Sequence, residues 1–298
     1  MNLQYVLWFL GSLVISLSLF AFMNRGKKGV FTQCLLMGTF GTLLGLVLAK
    51  LVYYLAMINF MVMYGWLESL VDVTMGTFSY YGGVAGFCLG VVLSARLTRQ
   101  KPMELLDAYA PSGLLLAALA RFGEVMLDGV GTRDMLYWEH PEHCFFPLAV
   151  SNEYGEWLYA VFMLEGLLTL GVLVLCITRL KKQRFLRSLF YLCLIQILCE
   201  SLRSDSFTWL FVKVEQLICM LGAVGVLLVY GVKTPGTWRR WMPIVYCVPL
   251  AAVFVVLEFA LNGKIPLSKP LCYGVMVAGL VVLSLIENWA FKRMEAKE

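Results

Sequence analysis

The chain reads as a series of long apolar runs separated by short polar breaks. Residues 3–23 form the first run, which stops at Arg25, Lys27 and Lys28. The second begins near residue 30 and stays apolar to about residue 64, broken only by Lys50. It is too long for one straight span, so its far end is expected to tilt or lie in the interface. Residues 65–77 carry Trp66, Glu68 and Asp72 at helical spacing, which predicts an amphipathic segment on the membrane surface. A third run, 78–95, stops at Arg96, Arg99 and Lys101, and a fourth, 105–126, passes through Pro111, Arg121 and Glu124. The polar stretch 127–156 precedes a fifth run, 157–178, which ends in the densest basic cluster of the chain. A short sixth run, 188–199, is followed by Glu200, Arg203 and Asp205. The seventh, eighth and ninth runs cover 211–232, 242–261 and 271–291.

Nine continuous runs near the length of a membrane-crossing helix predict an all-α polytopic membrane protein. Because the runs are continuous and do not alternate, they disfavour a membrane β-barrel. Composition agrees: 60% of residues are apolar and 14% charged, and the mean hydropathy is +0.79. A water-soluble enzyme, a secreted disulfide scaffold and a disordered tail are all excluded. All nine cysteines except Cys144 lie in apolar runs, where a thiol behaves as a small hydrophobe. The first run lacks a basic segment ahead of it and is read as a retained span, not a cleaved leader.

The net charge of +5 does not point to nucleic acid, because the basic residues cluster in the breaks between spans. With the N-terminus outside, seventeen of the 24 Lys and Arg fall on the cytoplasmic side, and the C-terminus is cytoplasmic.

Ionisable residues inside apolar runs are costly and mark partners or wet cavities. Here they are Lys50, Arg121, Glu124, Glu165, Glu200, Glu258 and Glu287. Those near the outer surface between spans three and seven suggest a cavity opening outward. Arg121 and Glu124, three apart, share a helix face. Either they neutralise each other, or Arg121 holds a lipid phosphate with its planar fork. Glu200 and Arg203 repeat that ambiguity. Tyr80-Tyr81-Gly82-Gly83, with Gly86 and Gly90, heads span three, and such glycines admit either a packed helix or a ligand. His140, His143 and Cys144 lack a second matching pair, and Pro141 opposes one helical face, so a solvated loop is favoured over a metal site. Glu258 and Glu287 read equally as packing pairs or proton-relay groups.

These motifs, taken in order, resemble the bacterial prolipoprotein diacylglyceryl transferase family. The carriers are Ser79-Tyr80-Tyr81-Gly82-Gly83, Ala110-Pro111, Ala120-Arg121-Phe122-Gly123-Glu124, and Leu158-Tyr159 with Leu164-Glu165-Gly166-Leu167-Leu168. Glu200 with Arg203 and Asp205, then Gln216-Leu217, complete the set. The likeness covers about residues 1–235 and implies a seven-span transferase domain there. Residues 236–298 then form two additional transmembrane helices and a cytoplasmic tail.

The resemblance implies a multi-pass enzyme of the bacterial plasma (inner) membrane. Its reaction would move a diacylglyceryl group from phosphatidylglycerol to the lipobox cysteine of a prolipoprotein signal peptide. Its partners would be those two substrates and membrane lipids, and it needs no cofactor and no metal. Arg121 would bind the phosphate, with Tyr81 orienting the headgroup or taking the thiol proton. Gly82 and Gly83 would admit the lipid, and Glu200 with Arg203 would complete the polar cluster. Glu124, Gln196 and Tyr154 stand at substrate-binding positions where the family carries asparagine, arginine and part of a His-Pro pair. Ala160 replaces a glutamate. Losing a phosphate-directed cation is worth roughly 3 kcal/mol of transition-state stabilisation. A catalytically altered paralogue that binds lipid or a membrane partner is therefore the alternative. A transporter is a further one, disfavoured by the lack of an inverted repeat.

Overall fold

A chain buried in hydrocarbon must satisfy its backbone within each segment, and long apolar runs do so as helices. The computed structural model describes residues 3–58, 78–127, 132, 145–151, 155–203, 208–209, 212–234, 238–261 and 264–296. Among these are nine helices of at least 18 residues, each apolar enough to cross a membrane. They are α1 Leu3–Met23, α2 Val30–Ala56, α3 Tyr80–Leu97, α4 Pro102–Gly123, α5 Val161–Thr178, α6 Arg184–Leu202, α7 Val214–Lys233, α8 Met242–Leu261 and α9 Lys269–Glu295. The protein is a multi-pass, all-α membrane protein. The amphipathic segment expected at 65–77 lies outside the described residues.

Two boundaries differ from the sequence expectation. Trp157–Tyr159 does not open the fifth span but forms strand β2, antiparallel to β1 (Ala149–Ser151). Its aromatic residues are suited to a strand, and α5 starts only at Val161. The sixth span is longer than its apolar run, because α6 takes in Arg184 and Arg187 at one end and Glu200 at the other. Gln196 Nε2 donates to Glu200 Oε2 at 2.7 Å one turn away, which supplies the buried carboxylate with a partner inside its own helix.

The chain divides into two compact units. The first comprises residues 1–188 and 202–215. In it α2 and α3 approach until their backbones touch. A Cβ on Gly86 would lie 2.1 Å from the Leu44 carbonyl oxygen, and one on Gly90 would lie 2.4 Å from the Gly41 nitrogen. The glycine pattern heading span three is therefore a helix-packing surface, as small residues are in membranes. Gly86→Ala is expected to force the pair apart and cost about 1–3 kcal/mol, seen as a lower thermal unfolding midpoint in detergent. Gly171→Ala on α5 meets nothing within 4 Å and is the neutral control. Polar contacts tie α1 to α4: Ser16 Oγ donates to the Ser112 carbonyl at 2.8 Å, and Trp8 Nε1 donates to the Leu119 carbonyl at 2.7 Å.

The second unit comprises residues 189–201 and 216–298. Neutral donors reach two of its carboxylates. Glu287 accepts from the Tyr230 and Tyr191 hydroxyls at 3.2 and 3.4 Å. Gln216 Nε2 donates to Glu258 Oε1 at 3.0 Å and to the Ile197 carbonyl at 3.1 Å. Gly279 leaves room for the Phe254 ring between α9 and α8.

Candidate functional site

The site belongs to the first unit, at the end where α3 and α5 begin and α4 finishes. This is the end away from the basic breaks after α1 and α3. Helix α3 starts at Ser79, whose Oγ accepts from the Gly82 backbone N–H at 3.1 Å, an N-cap that satisfies one of the orphan donors of the first turn. The same hydroxyl donates to Glu215 Oε1 at 2.7 Å. The cap thus fixes the direction in which Tyr80 leaves the helix. Tyr80 donates its hydroxyl to the Ala117 carbonyl of α4 at 3.1 Å. Its ring lies beneath the Arg121 guanidinium, 3.5 Å from the centroid, a cation–π contact in a desolvated setting.

Arg121 comes from the last turn of α4, and Glu124 follows in the 3₁₀ turn Glu124–Met126. Arg121 Nη1 bonds Glu124 Oε1, which realises the pairing that the three-residue spacing predicts. Its Nε donates to Glu165 Oε1 on α5 at 2.6 Å. Arg203 closes the figure from the far side. Its Nη2 donates to Glu124 Oε2 at 3.1 Å, and its Nη1 donates to Glu165 Oε2 at 3.3 Å. Two arginines and two glutamates therefore alternate around a square, each carboxylate bridging both guanidinium groups. Lys213, which ends the short strand Val212–Lys213, donates to the Arg203 carbonyl at 3.2 Å. With Glu215 on Ser79, this puts the start of α7 in charge of both Arg203 and the α3 cap.

The square carries no net charge, and its members are almost out of solvent. Side-chain exposure is 1% for Arg121, 2% for Glu165, 6% for Glu124 and 8% for Arg203. Burying four charges is tolerable only because each is paired and hydrogen-bonded. The arrangement can grip an oxyanion if one carboxylate yields its place, since a phosphate offers the same fork-matching oxygens. Glu124 is the edge best able to yield: it sits in a three-residue turn, whereas Glu165 is anchored within an 18-residue helix.

The structure thus brings together Arg121, Glu124, Glu165 and Arg203, all singled out from sequence, sets Ser79 and Tyr80 of the family-like segment beside them, and adds Glu215. Tyr81 is buried and meets Tyr80 edge-on, with centroids 5.1 Å apart. The approach that Gly82 permits is that of α2: a Cβ there would stand 2.7 Å from the Leu48 carbonyl oxygen. On Gly83 a Cβ would be in ordinary contact with Ala49. Glu200 and Gln196 lie in the second unit, paired with each other. Tyr154, Asp205, His140, His143 and Cys144 lie outside the described residues.

The prolipoprotein diacylglyceryl transferase family model matches residues 3–232, which includes every member of the square. Curated relatives are similar over about half of the chain. A phosphatidylglycerol–prolipoprotein diacylglyceryl transferase of Clostridium novyi is 24% identical over 176 residues, 55% of this chain and 67% of the relative. Its counterpart from Listeria innocua is 28% identical over 165 residues, covering 52% of this chain and 58% of the relative.

Proposed function

The chain belongs to the prolipoprotein diacylglyceryl transferase family, and from that premise we propose that it transfers the diacylglyceryl group of phosphatidylglycerol to the lipobox cysteine of a prolipoprotein. The proposed setting is the bacterial plasma membrane, with the site toward the outer leaflet and the N-terminus outside. The observation that carries this reading is the buried square of Arg121, Glu124, Glu165 and Arg203 over the Tyr80 ring.

The lipid phosphate takes the place of the Glu124 carboxylate between the two arginines. Arg203, the more exposed of the pair, meets it first, and Arg121 holds it against the tyrosine. The displaced carboxylate is then free of its cations and stands next to the reacting groups as acceptor for the thiol proton. The resulting thiolate is the nucleophile. A C–S bond forms at the glyceryl carbon of the diacylglyceryl group as its C–O bond to phosphate breaks. Glycerol phosphate departs with the bonding electrons, and the two guanidinium groups stabilise its growing charge. Tyr81 and Tyr154 keep the substrate-side roles that the family likeness suggests for them, whereas Gly82 is taken up by the approach of α2.

One observation favours a second reading, an altered paralogue that binds lipid or a partner without transfer. The square is neutral and fully satisfied, which is also what a structural core requires. Both readings meet one experiment. The wild-type chain is expressed in a strain depleted of its own diacylglyceryl transferase, and lipidation of a lipobox cysteine is followed by labelled-lipid incorporation. Restored growth with labelled lipoprotein is expected. Good membrane expression with no labelled cysteine would overturn the transferase reading in favour of the paralogue.

A further inference from the structure

Glu215, in the first turn of α7, stands outside the square yet is buried, at 5% exposure. Its Oε1 accepts from the Ser79 hydroxyl at 2.7 Å. That hydroxyl carries one proton. With the proton directed at Glu215, a lone pair is left to face the Gly82 backbone N–H, which Ser79 Oγ accepts at 3.1 Å. The carboxylate thus fixes the rotor on which the α3 cap depends, and a carboxylate acceptor makes the stronger bond. The rest of Ser79 is fastened through its backbone. Its N–H donates to the Ala49 carbonyl of α2 at 3.0 Å, and its carbonyl accepts from the Gly83 N–H at 3.1 Å. Tyr80 is the first helical residue after this cap. Its hydroxyl donates to the Ala117 carbonyl and its ring faces the Arg121 guanidinium. The Glu215 carboxylate also sits at the N-terminal turn of its own helix and beside that of α3, where both helix dipoles favour it.

We infer that Glu215 is a positioning residue, a role that rests on the proposed transfer: acting through Ser79, it holds Tyr80 in place beneath Arg121. Lys213, two residues earlier, donates to the Arg203 carbonyl at 3.2 Å. Arg203 and Glu215 belong to the same unit as the rest of the square. This part of the chain therefore meets the site twice, through Arg203 on the two carboxylates and through Glu215 on the α3 cap. The seat of one arginine is thereby coupled to the seat of the other. A phosphate that replaces Glu124 finds both guanidinium groups aligned only while that link is intact. Misplacing a positioning group by about 1 Å costs as much as 10²-fold in rate. Burial of acyl chains against the helices does not depend on the link, so its loss falls on kcat and not on KM.

The test follows transfer of labelled diacylglyceryl from phosphatidylglycerol to a lipobox peptide by the full chain in detergent. In parallel, 3-fluorotyrosine replaces Tyr80 or, as a control, Tyr109, which is buried in the core of the same unit. Glu215→Ala is expected to lower kcat by about 10–100-fold with KM nearly unchanged. The fluorine resonance at position 109 should stay in place, which excludes loss of folded protein. Glu215→Gln keeps an oxygen facing Ser79 and should restore most of the rate. Ser79→Ala should produce a loss of the same size. Ser79→Ala combined with Glu215→Ala should lose no more than either alone, because the two residues act as one link. The resonance at position 80 should move in both alanine variants and hold its place in Glu215→Gln. Glu215→Leu, which has no oxygen for Ser79, carries the same test should Glu215→Ala prove unfolded. Full kcat in the Glu215 variant, an unmoved resonance at position 80, or losses that multiply in the double variant would overturn the inference. That resonance reads the tyrosine seat whether or not transfer occurs. A wild-type chain that lipidates no peptide would therefore remove the transferase reading, while the resonance alone decides on Glu215.

Discussion

Arg121→Gln is expected to lower transfer by roughly 10³-fold or more, the scale of losing a preorganised charge at a transition state. In the structure this guanidinium touches both carboxylates and the Tyr80 face. Arg121→Lys is expected to rescue little, because an ammonium lacks the planar fork that bridges two acceptors. The single change also leaves Glu124 and Glu165 sharing one cation, a loss of about 3–5 kcal/mol for a buried pair broken on one side. Activity must therefore be separated from stability. Arg121→Gln combined with Glu124→Gln restores neutrality, and its unfolding midpoint in detergent should return close to wild type. Labelled-lipid transfer by that double variant should remain absent. Recovery of transfer there would show that the arginine acts only by holding the fold and that Glu124 is not the acceptor of the thiol proton.

Glu165→Gln is expected to destabilise the fold as strongly as the loss of Arg121, by about 3–5 kcal/mol. Glu165 joins α5 to the end of α4 through Arg121 at 2.6 Å and reaches Arg203 at 3.3 Å. An amide of the same shape accepts through one oxygen only and carries no charge. Two buried guanidinium groups would then share Glu124 alone. The measurement is thermal unfolding in detergent, with limited proteolysis reporting release of the segment that carries Arg203. A midpoint within a degree or two of wild type would mean that the square contributes little to the fold.

Much of the architecture was legible before any coordinates. Continuous apolar runs dictated helices, their number and the all-α class, because hydrocarbon offers the backbone no other partner. The pairing of Arg121 with Glu124 was legible too, since residues three apart on a helix are neighbours. Glu165 stood out as a charge inside a span, but its partner did not. Which residue it meets depends on how α5 is rotated and shifted against α4, and apolar runs of this kind leave that register open. The choice between Tyr80 and Tyr81 is similar. Adjacent helical residues point about 100° apart, so only one can lie under a given guanidinium, and the local pattern does not say which.

What the sequence by itself determined was the set of spans, their basic breaks and the presence of charges where charges are costly. Those follow from transfer energetics residue by residue. Only the tertiary structure decided that four of those charges form one neutral square, that Gly86 and Gly90 serve the contact with α2, and that Glu215 reaches the Ser79 cap. Such choices are made by helix-to-helix packing over long sequence separations, where one partner's position is set by the rest of the bundle and not by its neighbours in the chain.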